Sequence, residues 1–525
     1  MRRFNIIVTI AALFLLSTSC EDFLEKEIEG QLPLEGVDYT ELSAMYQPVS
    51  GVLGTSRSFS LISWADGCIE RFRTDFIVKG NGIGNQPAME SVLEKYQYTN
   101  TEWFVMQPWM RVYRIIKKCN VALDELDKFR ENCTGVDLEL NDQYKAEVRF
   151  LRALAYHRGA RFYGDICWFD TEIASIDLKL SPREEVYTWL IGELKDLRED
   201  LPSNHPNQLA RSGGITRWAA DMMLAKAAAD IGDYATMEEA AGDIVNNGSF
   251  YLYPDYYDLF TVNGELCDEN IFELQYYYFN EDGTSADINQ WYNYAGMATQ
   301  IHGKVEVAGT KTFGGGWGFS MPSKKFVDLM KDRGETVRLT RNIIYPNSLT
   351  FKGDSIGSFN GKIKALIDKY DEENLPNGIE RAYTCKWLME SVDRHIDWLR
   401  FGGMNNVRVY RYADALLLYA EALVHNGGSG AGDEYLNMVR ERAQLTPISG
   451  ATIDQIIEER GMELAMEWGG DRFFDLVRLG KTSELGSNFT AGEDEFFPTP
   501  QEQIDNHPGL FEAPVSGLFP TNFGE

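Results

Sequence analysis

The chain has 525 residues, 80 of them acidic and 50 basic, for a formal charge of −30. That balance excludes a nucleic-acid reader, which needs a basic face for phosphates, and a polybasic membrane-docking surface; it favours solubility and neutral or cationic ligands. Seven cysteines are scattered without a CxxC pair, so neither a zinc framework nor a dense disulfide scaffold is expected.

In chain order, Arg2 and Arg3 precede an apolar run over residues 6–16, then Ser17, Thr18, Ser19 and Cys20. The run falls short of the ~20 residues that span a bilayer. It reads as a secretory leader over residues 1–20. The small residues before Cys20 make a lipobox, with Ser17 in the place usually held by Leu and Leu16 one place earlier. The Cys20 thiol is therefore the expected lipidation site, and a single lipid the only anchor.

Apolar periodicity predicts helices over residues 109–126, 144–163, 182–201, 216–231 and from about 234 to 247. Gly164 ends the second; Ser181 is read as the N-cap of the third, with Pro182 in its first turn. The fourth finds an echo near the C-terminus: Ala220, Ala225, Ala227 and Gly232 match Ala415, Ala420, Ala422 and Gly427. Paired helices with small residues at their crossing follow tetratricopeptide logic. Residues 411–481 run RYADALLLYAEALVHNG, LNMVRERA and ERGMELAMEWGGDRFFDLVRLGK. Asn437, Arg440, Arg442, Glu459, Glu463, Glu467, Arg472, Asp475 and Arg478 are interleaved there with apolar residues, so some must be buried, and buried charges must be paired. Glu459, Glu463 and Glu467 fall on one helical face, with Arg460 and Arg472 as their expected ion partners.

Two stretches break the helical rhythm. Residues 64–98 carry Gly80, Gly82 and Gly84 with Asn81 and Asn85; residues 276–321 carry YYYFNEDGTSADINQWYNYAG and TFGGGWGF. Long irregular segments in a globular chain are functional or disordered, and their aromatic content argues against disorder. Within residues 276–296, Trp291, Tyr292 and Tyr294 supply flat faces, and Asp287, Asn289 and Gln290 supply hydrogen bonds. A sugar ring offers an apolar C–H face and hydroxyls, so aromatic walls with a few polar groups suit it. The competing reading is that these aromatics pin a long loop to the helices. Enzyme signatures are missing: there is no HExxH and no GxSxG, and Gly314 to Gly318 lacks the Lys-Ser/Thr of a phosphate loop. Asn280, Glu281, Asp282 and Gly283 carry only part of a calcium loop. No cofactor or metal is expected.

Several segments in the same order resemble the SusD/RagB family, the surface nutrient-binding lipoproteins of Bacteroidetes. They are AEVRFLRALAYHRGARFYGDI from Ala146, PREEVYTWLIGELKDLREDLP from Pro182, GGITRWAADMMLAKAAADIGDY, NGSFYLYPDYYDLF, ENIFELQY from Glu269 and FFPTPQEQIDNHPGL. Thr499 stands where the family's closing motif has Ile. The resemblance implies a mainly α fold, a tetratricopeptide-like helical superhelix with an irregular, loop-rich second half. It implies a helical region over 21–270 and a region with ligand loops over 271–525, forming one structural unit. Arg73, Asn81, Asn85 and Trp317 become secondary ligand candidates. The implied function is oligosaccharide or polysaccharide binding and delivery to a TonB-dependent outer-membrane transporter, from a lipid-anchored position facing the cell exterior. Glu21, Asp22 and Glu25 fit the acidic stretch that accompanies such export. Two alternatives remain open: a peptide or other non-sugar nutrient on the same architecture, or a surface glycan hydrolase using paired carboxylates.

Overall fold

The computed structural model describes residues 37–56, 69–79, 92–169, 179–275, 305–307, 311–313, 320–342, 386, 406–467, 471–507 and 509. The architecture is mainly helical. Its first half is α1 (Gln47–Thr55), β1 (Ile77–Lys79), α2 (Trp103–Arg130), α3 (Val136–Tyr163), β2 (Ile166–Cys167), β3 (Leu180–Ser181), α4 (Arg183–Leu197), α5 (Arg217–Asp230) and α6 (Tyr234–Asn247). There follow β4 (Asn270–Leu274), β5 (Val305–Val307), β6 (Lys311–Phe313), β7 (Ser320–Pro322), α7 (Lys324–Arg333) and β8 (Val407–Arg411). The chain closes with α8 (Tyr412–Gly427), α9 (Asp433–Arg442), α10 (Ile453–Glu463), α11 (Arg472–Arg478) and α12 (Gln501–Asn506).

Alanine sets how the helices stack. Ala219, Ala220, Ala225 and Ala227 on α5, and Ala413, Ala415, Ala420 and Ala422 on α8, are all fully buried. Small side chains let helix axes approach and interlock. Helix α6 packs against both α5 and α8, so the two echoing segments flank one helix. Around this centre α2 packs on α3, α3 on α4, α4 on α5, and α8 on α9 and α10. The strands form four two-stranded antiparallel ladders, β1–β7, β2–β3, β4–β8 and β5–β6.

Three local expectations change. Helix α2 begins at Trp103 and runs through Pro108. Proline removes one donor and pushes away the carbonyl four residues back. The Tyr163 hydroxyl enters the ladder one step along, accepting from Trp109 N at 3.0 Å and donating to Val105 O. Ser181 is not an N-cap: it pairs with Ile166 in the β2–β3 ladder, and Pro182 takes the cap position. The Arg183 N–H instead finds the Asp165 carboxylate at 2.9 Å, a cap supplied from a neighbouring turn. Helix α10, closed at its start by a Thr452–Gln455 capping box, ends at Glu463, so Glu467 lies beyond the helix.

Glycines at two crossings are not equivalent. A Cβ on Gly432 would lie 2.4 Å from the backbone oxygen of Ala420, whereas one on Gly242 would lie 2.9 Å from the ring edge of Tyr419. A backbone cannot step aside and a ring edge can. Gly432→Ala is expected to lower stability by about 1–3 kcal/mol. Gly242→Ala, offset by a helix-propensity gain of about 0.5–1 kcal/mol, should stay near neutral. Denaturant midpoints of the two variants test the ranking.

Candidate ligand-binding edge

The irregular segments are rooted on strands. In the β1–β7 ladder Ile77 faces Pro322 and Lys79 faces Ser320. The glycine- and asparagine-rich stretch begins just after Lys79, and the stretch containing Trp317 ends at Ser320, so both depart from one end of this ladder. Ser323 fixes the other end. Its hydroxyl donates to Asp75 O at 2.7 Å, accepts from Phe326 N at 3.1 Å as the cap of α7, and its N–H reaches Phe76 O at 2.9 Å. The Arg472 guanidinium makes a two-pronged contact with the Asp75 carboxylate at 3.0 and 2.8 Å and lies 4.5 Å over the Phe76 ring. Lys325 adds a contact at 2.7 Å. Burial alone would raise the Asp75 pKa, but these two cations pull it below the usual value. The aromatic segment leaves the second ladder, where Leu274 of β4 faces Val407 of β8. Buried Glu273 closes that ladder by accepting from Asn406 at 2.7 Å.

Both ladders rest on an ionic core. Glu463 accepts from Arg442 at 2.5 Å, Arg411 at 3.1 Å and Arg338 at 3.4 Å. Burial would raise its pKa; the arginines hold it down to about 2. Glu459 accepts from Arg338 at 2.6 Å, Arg440 at 2.7 Å and Arg333. Glu467 takes Arg411 at 2.7 and 2.8 Å and Lys386 at 2.7 Å. Lys386 also donates to Glu463 O at 2.8 Å, and burial brings its pKa down to about 8 despite Glu467. A second cluster lies alongside. Arg460 donates to Asp414 at 2.8 Å, to Asp471 at 2.6 Å and to Asp475; Arg161 reaches Asp471 at 2.5 Å and Asp230 at 2.6 and 2.8 Å. His157 Nε2 sits 2.9 Å from Asp230, and burial, with Arg161 beside it, brings its pKa down to about 4.

The expectation that some of these charges are buried and paired holds, but the partners differ. Arg460 and Arg472 serve aspartates, and the three glutamates are served by arginines from β8, α9 and the α7 region. Periodicity places a residue on a face; it does not say what faces it. Arg73 is the one ligand candidate among the described residues, and its position corrects the expectation. It is 1% exposed, its guanidinium lies 3.8 Å over Phe473 and 4.7 Å over Phe497, and it donates to the backbone oxygens of Asp494 and Glu495. It clamps the C-terminal segment and does not face an open ligand surface. Asn81, Asn85, Asp287, Asn289, Gln290, Trp291, Tyr292, Tyr294, Trp317 and Cys20 lie outside the described residues.

Two small cavities of about 40 and 30 Å³, both bordered by Glu70 and Asp471, lie in the ionic core. Volumes of this size hold water, not a sugar ring. Among the described residues no helix is long and apolar enough to cross a membrane, and no three His, Cys, Asp or Glu side chains group as a metal site.

Comparison with known proteins agrees with this architecture. A sequence model of the SusD family matches residues 268–501. SusD-like protein P2 of Formosa agariphila is 26% identical, covering 98% of this chain and 99% of that protein. The starch-binding protein SusD of Bacteroides thetaiotaomicron is 24% identical, covering 80% of this chain and 79% of that protein. Among solved structures, surface glycan-binding protein A from Bacteroides thetaiotaomicron in complex with laminarihexaose superposes with a TM-score of 0.70 at 22% identity, over 89% of this chain and 98% of that one. A laminarin-binding SusD-like protein superposes with a TM-score of 0.70 at 21% identity, over 88% and 97%. The structural likenesses establish the shared fold. Residues 268–501 thus match the SusD family model, and the chain as a whole is similar to SusD-like proteins.

Breaking the ionic core should be costly. Arg411→Met leaves Glu269, Glu463 and Glu467 each short of a cation in a buried site. The expected loss is about 3–5 kcal/mol by denaturant unfolding. Removing the exposed Lys481–Asp454 pair with Lys481→Met should cost less than about 1 kcal/mol.

The His157 shift carries a pH prediction. Between its unfolded value of 6.5 and about 4, the unfolded chain takes up a proton that the folded chain refuses. This group's contribution to stability is therefore lost as pH falls through that window, by up to about 1.4 kcal/mol per pH unit. His157→Gln should flatten the melting-temperature profile between these limits.

Proposed function

We propose that this protein binds an oligosaccharide at the cell surface through the segments rooted on the β1–β7 and β4–β8 ladders. The observation that carries the reading is the shared root. Two segments far apart in sequence, one rich in Gly and Asn and one bearing Trp317, start from a single ladder end. A rigid base under polar and aromatic segments suits a ligand with hydroxyls and a stackable ring face. Relatives named for starch and laminarin binding support a glycan over other nutrients. Those relatives are named as binding proteins, which supports capture without cleavage.

In this reading residues 1–20 are a leader, and Cys20 carries the lipid that holds the protein on the outer face of the outer membrane. The helical superhelix and the loop-rich second half work as one unit. The bound glycan passes to a TonB-dependent outer-membrane transporter. Trp291, Tyr292 and Tyr294 supply stacking faces, and Asp287, Asn289 and Gln290 supply polar contacts.

A binding screen of the protein lacking residues 1–20 against laminarin, starch and peptide panels, by affinity electrophoresis and calorimetry, tests this. One glycan class is expected to bind, with no reducing ends released. Trp291→Ala should weaken that binding about tenfold or more, the ~1.4 kcal/mol or more of an aromatic anchor. A peptide signal with no glycan signal overturns the proposal.

A further inference from the structure

On the helical half, α6 and α8 leave an open groove of about 680 Å³ between them. Its lining includes Glu238, Glu239, Asp243 and Asn246 from α6 and Tyr419 and Asn426 from α8. We infer that this groove receives an extended polypeptide segment bearing lysine or arginine, contributed by a partner protein.

Three features carry the inference. The first is backbone-matching chemistry on both walls. Asn246 and Asn426 are exposed on facing helices. A carboxamide has both donor and acceptor, as a peptide group does, so Asn246 suits a main chain, while Asn426, whose two N–H groups are used within the protein, offers its oxygen. Asn246 is steadied by its bond to Gly242 O at 2.8 Å, and Asn426 by bonds to Tyr234 O at 3.2 Å and Glu238 at 2.6 Å. The second is the floor. Ala235 and Gly242 add no bulk, and Tyr419, tilted against Tyr435 at 4.6 Å between ring centres, adds an aromatic contact. The stretch from Ala235 to Asn247 runs along about 18 Å of helix, room for about five extended residues.

The third is charge. Arg198 holds Glu239 from behind at 3.0 Å, and Arg217 holds Asp243 at 2.6 Å. Both arginines are shared with buried Asp221. The groove therefore keeps an excess of acidic side chains, two of them held in place by these arginines. No Lys or Arg occurs from residue 227 through residue 303, so this stretch of the chain brings no cation of its own. An ordered acidic groove with peptide-matching amides selects a basic extended chain over an acidic one. The inference stands apart from the glycan reading.

The test is fluorescence anisotropy with a labelled octapeptide of alternating lysine and serine, at low ionic strength. Support consists of saturable binding, none by the glutamate-serine counterpart, and a loss of about fivefold or more with Glu239→Gln combined with Asn246→Ala. Both positions are exposed, so the unfolding midpoint should not move. Asp196→Asn, at a carboxylate 72% exposed on α4, removes the same charge elsewhere and should leave binding unchanged. Absence of binding, or equal weakening by Asp196→Asn, overturns the inference, because bulk negative charge alone would then account for any attraction.

Discussion

A carboxylate withdrawn from water has to find cations, and Glu463 finds three: Arg338, Arg411 and Arg442, from three different parts of the chain. Each of those arginines serves another carboxylate in turn, Arg338 with Glu335 and Glu459, Arg411 with Glu269 and Glu467, Arg442 with Glu269. Buried ion pairs add little net stability, because desolvation consumes most of the attraction. They are unforgiving of misplacement, however. Every member is satisfied only when α9, α10, β8 and the region after α7 hold one arrangement. The network therefore acts on which fold forms more than on how stable it is.

That constraint reaches the irregular segments. β8 ends on Arg411, whose guanidinium pairs with Glu269, Glu463 and Glu467. The Lys386 ammonium is set into the same carboxylates and lies 4.9 Å from the Phe260 ring centre. On the other side Asp75, just before β1, is locked to Arg472 at the start of α11. Both ladders thus take their positions from helices through buried charge. A binding surface built on such roots loses less freedom when a ligand arrives, since its base is already ordered.

The helical half follows a different rule. There, alanine decides the spacing of α5, α6 and α8, while α3 and α5 still bury ionisable side chains such as His157, Asp221 and Asp230. Helix α6 is covered on its inner faces by α5 and α8 and keeps its carboxylates and asparagines at the surface.

Much of this was legible in the sequence. Alanine spacing located α5 and α8 and their kinship, glycine marked helix ends, and charges set among apolar residues announced a buried ionic core. These signals are local, arising from one turn of helix or one change of polarity, so they survive without coordinates. Pairing is not local. Nothing near Glu463 names Arg338, and nothing near Arg73 indicates that Phe473 and Phe497 will close over it. Ser181 looked like a cap because the residue that satisfies Arg183, Asp165, arrives from across a two-stranded ladder. The sequence by itself determined the helices, their small-residue crossings and the need for paired charge. Only the tertiary structure decided which charges pair and that segments near residues 80 and 317 share one root, because those facts depend on distances between parts of the chain that no local pattern encodes.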